Sequence, residues 1–191
     1  MSAMPRFTGP ARDAFTPEEQ EFYDRYATGP RADPNAAFRL IDDEGTLIGP
    51  PSIWILAPHI GLALAQIGGH MRWGLDLSDR AREAAILAVG YTLESPFELF
   101  AHEPAGRAAG WSDDELAAIA RRTVPESADD EIRTALDVAW RVTDTGALDD
   151  DSYAAALAVL GQQRLFQLVA LVTYYRMVAT QLAVFGVLPP A

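Results

Sequence analysis

Apolar residues recur along this chain at the three- and four-residue spacing of an amphipathic helix, and no run alternates apolar with polar as a half-buried strand would. The breaks between these runs carry helix start and stop chemistry. Thr16-Pro17-Glu18-Glu19 supplies a threonine cap, a proline at the first helical position and a glutamate at the third, which predicts a helix to about Ala27. Thr28 to Pro51 holds four prolines and a cluster of acids, and reads as a long loop that wraps the surface or folds over a site. Helix resumes from about Pro58 to Trp73, with Gly68-Gly69 expected to weaken its last turn.

Ser78 caps the next helix, Asp79 to about Leu93, whose Ala84, Ile86, Leu87 and Val89 face the core. Pro96 opens another that runs through Ala109, with Pro104 expected to bend it and Gly110 to close it. Ser112-Asp113-Asp114-Glu115 is a second capping box, followed by a short helix to Arg122. A helix from Ala128 to Thr145 stops at Gly146, one from Asp150 to Leu160 stops at Gly161, and the last, Gln162 to Phe185, stops at Gly186 and Pro189-Pro190. The pattern predicts an all-α helical bundle forming a single domain over 1–191. An N-terminal helix and loop occupy 1–57, a core motif 77–116 and the C-terminal helices 128–187.

The last helix is apolar enough to raise the question of a membrane span. Arg176 lies in its middle, and a central arginine costs on the order of 3 kcal/mol on insertion scales, so the helix reads as a core or subunit-interface element and no membrane is expected. A helix apolar on most faces needs cover on most faces, which predicts a homo-oligomer.

Composition narrows the partners. A formal net charge of -12 repels phosphate backbones and anionic headgroups, so nucleic acid is not expected. All 15 basic residues are arginines, and the absence of lysine excludes Schiff-base chemistry and a P-loop lysine. Cys 0 excludes disulfides, sulfur-ligated zinc and thiol nucleophiles. Met1 to Phe15 contains no apolar run of the kind a signal peptide needs, which predicts a cytoplasmic protein.

Acid/base chemistry is what the remaining residues offer. Of the three histidines, His59 and His70 are eleven residues apart, roughly 16 Å along a helix, and cannot share a metal. No metal and no cofactor are expected. His102 follows Glu98 by four residues on one helix, which puts carboxylate and imidazole on the same face. Such a pair suits a general acid or base, and it also suits a solvated surface ion pair. Its neighbours Phe97, Leu99 and Phe100 argue against open solvent.

The stretch Leu77-Ser78-Asp79-Arg80-Ala81-Arg82-Glu83, followed by Ala85-Ile86-Leu87-Ala88-Val89, Glu98-x3-His102 and Ala108-Ala109-Gly110-Trp111-Ser112-Asp113-Asp114-Glu115, resembles the carboxymuconolactone decarboxylase and AhpD-like superfamily. The resemblance implies an AhpD-like helical bundle, assembly as trimers or hexamers, and a site built from Glu83, Glu98 and His102. In the alkylhydroperoxidase branch two cysteines stand where this chain has Ser95 and Glu98, so thiol peroxidase activity is excluded. The decarboxylase branch, with glutamate four residues before histidine, is the more similar. It implies a cofactor-free lyase, or a related proton-transfer enzyme such as an isomerase, acting on a small carboxylated lactone or aromatic ring-cleavage product.

Decarboxylation of that kind needs a cation for the carboxylate, an electron sink in the substrate and an acid for the carbanion. His102 would donate the proton, with Glu98 or Glu83 orienting it. Arg80 and Arg82, in the first turn of a helix, read as surface-paired and stay outside the catalytic set. Trp54, Phe97, Tyr174 and Tyr175 are candidates to wall the substrate pocket. Two other readings compete: a non-catalytic protein that binds a small ligand in the same fold, and a structural oligomer, which predicts an exposed Glu98 and His102 with no cavity beside them.

Overall fold

Buried alanines and a glycine on one short helix set the architecture. Helix α4 (Asp79–Thr92) carries Ala81, Ala84, Ala85, Ala88 and Gly90 among its buried residues, so it is thin enough for neighbours to close around it, while Ile86, Leu87 and Val89 fill the gaps. The computed structural model describes residues 6, 7, 9–28 and 40–190. Ahead of α4 come α1 (Pro17–Ala27), α2 (Pro50–Trp54) and α3 (Pro58–Trp73). After it come α5 (Pro96–Ala108), α6 (Asp113–Ala120), α7 (Asp130–Thr145) and α8 (Asp150–Phe185). The described residues form an all-α bundle with no sheet; their one β feature is an isolated bridge between Ile41 and Leu47.

The chain divides into two compact units, Met1–Gly69 with Gln181–Ala191, and His70–Thr180. In the second unit α4 packs chiefly against α7 and α5, and also against α6. α7 is amphipathic and turns Ile132, Ala135, Leu136, Ala139 and Val142 inward. Leu165, Leu168, Leu171, Val172 and Tyr175 of α8 join the same core. By length and composition α8 could cross a membrane; its backbone breaks at Gly161 (φ 71°, ψ 167°), a conformation open essentially to glycine alone, where the sequence predicts one helix to stop and the next to start.

The first unit has its own core of Phe22, Tyr23 and Tyr26 from α1 with Leu40, Ile41, Leu47, Ile53, Trp54 and Ile55. Gly61 lets α3 approach closely, since a Cβ there would sit 2.7 Å from Phe22 and 2.8 Å from Trp54. The Tyr23 hydroxyl donates to the Gly45 carbonyl at 2.8 Å, which ties the 40–48 turn to α1.

Both capping boxes form as expected, at Thr16/Glu19 and Ser112/Glu115. One expectation needs correction. The end of the predicted loop is helical, because Pro50 and Pro51 start α2 and bury Pro51, Ile53 and Trp54. Helix α3 spans Pro58–Trp73 as expected, with Gly68 buried. Residues 29–39 of that loop, and 1–5 and 8 of the N-terminal stretch, lie outside the described residues.

Candidate active site

Two helix starts and one close approach assemble a buried acid/base cluster in the His70–Thr180 unit. The Ser78 side chain accepts from the Ala81 N–H and fixes the first turn of α4, from which Arg82 and Glu83 project. Ser95 and Pro96 open α5, which places Glu98 and His102 one turn apart on the same helix face. Gly90 lets the two helices meet: a Cβ there would come within 3.1 Å of Leu99 and 3.6 Å of the Glu98 Cβ. Glu83, Glu98 and His102 are 5%, 4% and 3% exposed, not the open surface pair a structural oligomer predicts.

The imidazole lies between two carboxyl groups that are shifted in opposite directions. His102 Nδ1 is 2.8 Å from Glu83 Oε2, and the other oxygen of Glu83 accepts from Arg82 Nε at 3.3 Å. Burial alone would raise the Glu83 carboxyl, but the hydrogen bond from His102 and the charges of His102 and Arg82 outweigh it and hold the group below the ordinary value. An ionised carboxylate can only accept, so Nδ1 carries the proton and Nε2 is left as the working nitrogen. Nε2 faces Glu98 Oε2 at 3.7 Å, an electrostatic contact rather than a hydrogen bond. Burial pushes the Glu98 carboxyl up, and the charges of His102 and Arg72 offset only part of that.

Tyr175 completes the enclosure. Its ring stands edge-on to the His102 ring, centroids 4.9 Å apart at 88°, and Tyr174 packs edge-on against it at 5.4 Å. Burial drives the Tyr175 phenol up to about 12, with Glu98 and Glu83 adding to the effect and Arg72 opposing it. The hydroxyl therefore stays protonated across the ordinary pH range.

Residues 58–140 match the carboxymuconolactone decarboxylase family. This family domain runs from the start of α3 into α7 and contains Glu83, Glu98 and His102, and it covers less than half of the chain. No curated protein and no solved structure is detectably similar to the chain.

The other candidates fall in different places. Phe97 is buried beside Phe100, centroids 6.0 Å apart, at the start of α5, and Tyr174 is half-buried on α8. Trp54 belongs to the other unit, where its indole N–H donates to Gln181 at 2.9 Å. Arg80 stacks on Trp111 and pairs with Glu115 at 3.0 Å, a structural tie. His59 and His70 are exposed, and no group of residues that could hold a metal ion occurs among those described. A cavity of about 840 Å³ lies in the first unit, between the 6–15 and 44–55 segments and the chain's last turns, and none of the acid/base residues lines it.

Arg72 is the site residue that sequence patterns miss. It sits in the last turn of α3, half-buried, and donates a hydrogen bond to the Tyr175 hydroxyl while its charge acts on Glu98. Eleven residues separate it from Glu83, across a helix end and a turn, so no periodicity links the two.

Proposed function

We propose that this chain is a cofactor-free acid/base enzyme of the carboxymuconolactone decarboxylase type, acting on a small carboxylated lactone or aromatic ring-cleavage product. The observation that carries this reading is the contrast across His102: an ionised Glu83 on one side and a Glu98 held toward its protonated form on the other. Two like groups driven to opposite states around one imidazole are the mark of an assigned acid and an assigned support.

In the forward reaction the bond between the substrate carbon and its carboxylate breaks, carbon dioxide leaves, and the electron pair stays on the substrate, delocalised into the lactone carbonyl. The proton on the Glu98–His102 Nε2 edge transfers to that carbon, and solvent returns a proton to the site. Glu83 keeps the ring in the tautomer that leaves Nε2 facing the reaction, and Arg82 keeps Glu83 ionised. Burial keeps water from competing for the carbanion. The same pair, removing and returning a proton, would serve an isomerisation.

Turnover of a carboxylated muconolactone in D₂O tests the proposal, with carbon dioxide release and deuterium in the product as readouts. One deuterium should enter per turnover at the carbon that loses the carboxylate. His102→Gln and Glu98→Gln should each lower kcat by roughly 10² to 10⁴, the range for a positioned acid. Full activity in both variants would place the chemistry elsewhere, and binding without turnover in the wild type would leave a ligand-binding protein.

A further inference from the structure

One cavity of the molecule takes no part in the acid/base chemistry. It lies wholly within the first unit and measures about 840 Å³, inside the roughly 300 to 1,000 Å³ range of pockets that take small molecules. We propose that it is a second binding site, for an amphipathic monocarboxylate whose apolar body fills the cavity and whose carboxylate meets Arg12. Such a site is independent of the acid/base reaction, since none of Glu83, Glu98 and His102 lines it.

Two aromatic pairs hold its walls. Phe7 meets Phe185 edge-on, ring centroids 5.7 Å apart at 83°, and Phe15 meets Tyr23 at 5.7 Å and 55°. The segment over residues 6–15 is thereby fixed to the end of α8 at one point and to α1 at another, and the rings turn apolar surface to the space between. Leu47 and Ile55, both buried, add aliphatic surface. Gly186, at φ 68°, lets the stem of Arg6 pass close: a Cβ there would lie 3.5 Å from Arg6 Cβ, Cγ and Cδ.

The arginines give the cavity its sign. The Arg12 guanidinium lies over the Tyr23 ring, 4.5 Å from its centroid, and its Nη1 would be 3.3 Å from a Cβ at Gly45. Stacking occupies the face of a guanidinium and leaves its N–H groups pointing outward in the plane, in the fork that matches a carboxylate. Tyr23 is itself tied to the Gly45 carbonyl at 2.8 Å, so the cation has a fixed support before any ligand arrives. Although the chain has 27 acidic residues, neither Arg6 nor Arg12 forms an ion pair with an acid among the described residues, and Glu44 is the one acid among those lining the cavity. Two arginines against one carboxylate leave a single positive charge, which one carboxylate neutralises. The chain's net charge of -12 opposes any anion, but at physiological ionic strength fields are screened over roughly 8 Å, so the charges lining the cavity decide.

Calorimetric titration of the full chain with octanoate and with neutral octanol tests the assignment. Octanoate should bind saturably and roughly tenfold more tightly than octanol, and from hexanoate to octanoate affinity should rise about fourfold per added methylene. Arg12→Met should weaken octanoate roughly tenfold while leaving octanol where it is, and Arg12→Lys should recover part of the loss. Ala183→Trp, which adds bulk from an exposed lining position near the end of α8, should abolish binding of both. Glu44→Gln, a change at an exposed side chain, should tighten octanoate roughly twofold to fivefold by removing one like charge. His102→Gln should change none of these affinities. No saturable binding in the wild type, octanol as tight as octanoate, octanoate unchanged in Arg12→Met or no tighter in Glu44→Gln overturns the site. Loss of octanoate binding in His102→Gln would assign the acid to the buried cluster and overturns it equally.

Discussion

Glu83 and Glu98 are the same residue type, equally buried, and both reach the same imidazole, yet their surroundings shift their carboxyl groups in opposite directions. Glu83 sits on the α4 side with Arg82 and Nδ1–H supplying two donors to its oxygens. Glu98 sits on the α5 side, 3.7 Å from Nε2 and beside the buried Phe97, where desolvation dominates. The difference teaches that burial alone does not decide the state of a carboxyl group. The count of donors pointed at the charged form decides the direction of its shift, and under the proposed function that count would give support to one glutamate and proton storage to the other.

The largest test of that division is kinetic. Glu98→Gln should lower kcat on a carboxylated lactone by roughly 10² or more, and Glu83→Gln by roughly tenfold to 10², because orientation is shared with packing while proton storage is not. Equal losses, or the reverse order in a steady-state assay, would break the assignment.

Stability should move in opposite directions in the same two variants. Glu83→Gln leaves the Arg82 and His102 contacts without their anion and should destabilise the fold by roughly 3 kcal/mol, as for one partner removed from a buried pair. The Glu83 carboxyl is lowered from its ordinary value of 4.5, so its contribution is complete above that pH and is lost as pH falls through the folded value. The deficit of Glu83→Gln in urea titrations should therefore shrink below pH 4.5.

Glu98→Gln should stabilise. Its carboxyl is raised from 4.5, so the unfolded chain ionises first and the wild type loses stability as pH climbs above 4.5 toward the folded value. The variant should match the wild type near pH 4 and melt higher at pH 8, each kcal/mol corresponding to roughly 2–4 °C in a chain of this size. A variant that melts lower at pH 8 would mean that Glu98 is ionised and paired in the native state.

The smallest effect sharpens the comparison from the edge. Arg82 shares its guanidinium between Asp79 and Glu83 and is 18% exposed, so Arg82→Gln should cost roughly 1 kcal/mol or less in a thermal melt. Its informative readout is pH dependence. Activity should fall at a higher pH on the acid side than in the wild type, because Glu83 loses one of the charges that keep it ionised.

How much of this was legible in the sequence follows from how local each signal is. The helix ends were readable because their chemistry sits within four residues: Thr16 to Glu19, Ser112 to Glu115, and the positive-φ glycines 110, 146 and 186 just past their helices. Helix α2 was not, since Pro50-Pro51 signals a break and a start equally well, and only burial of Ile53 and Trp54 decides between them. In the site, the Glu98 to His102 spacing was readable as one helical turn. The closer contact, Glu83 to Nδ1, spans 19 residues and a helix reversal, and only the family resemblance pointed to it. Arg72 had neither spacing nor resemblance, because its place depends on where the end of α3 meets Tyr175 of α8.

The burial of His102 also makes the chain a clock. With no lysine and no cysteine, the side chains that react readily with an acylating reagent such as diethyl pyrocarbonate are the three imidazoles. His59 and His70 are exposed and should be consumed first; His102, 3% exposed, can react only when its surroundings part. The third, slow equivalent therefore counts breathing events. A substrate bound at that nitrogen must wait for the same opening, and the rate of the third equivalent sets a lower limit on how often the enclosed cluster opens.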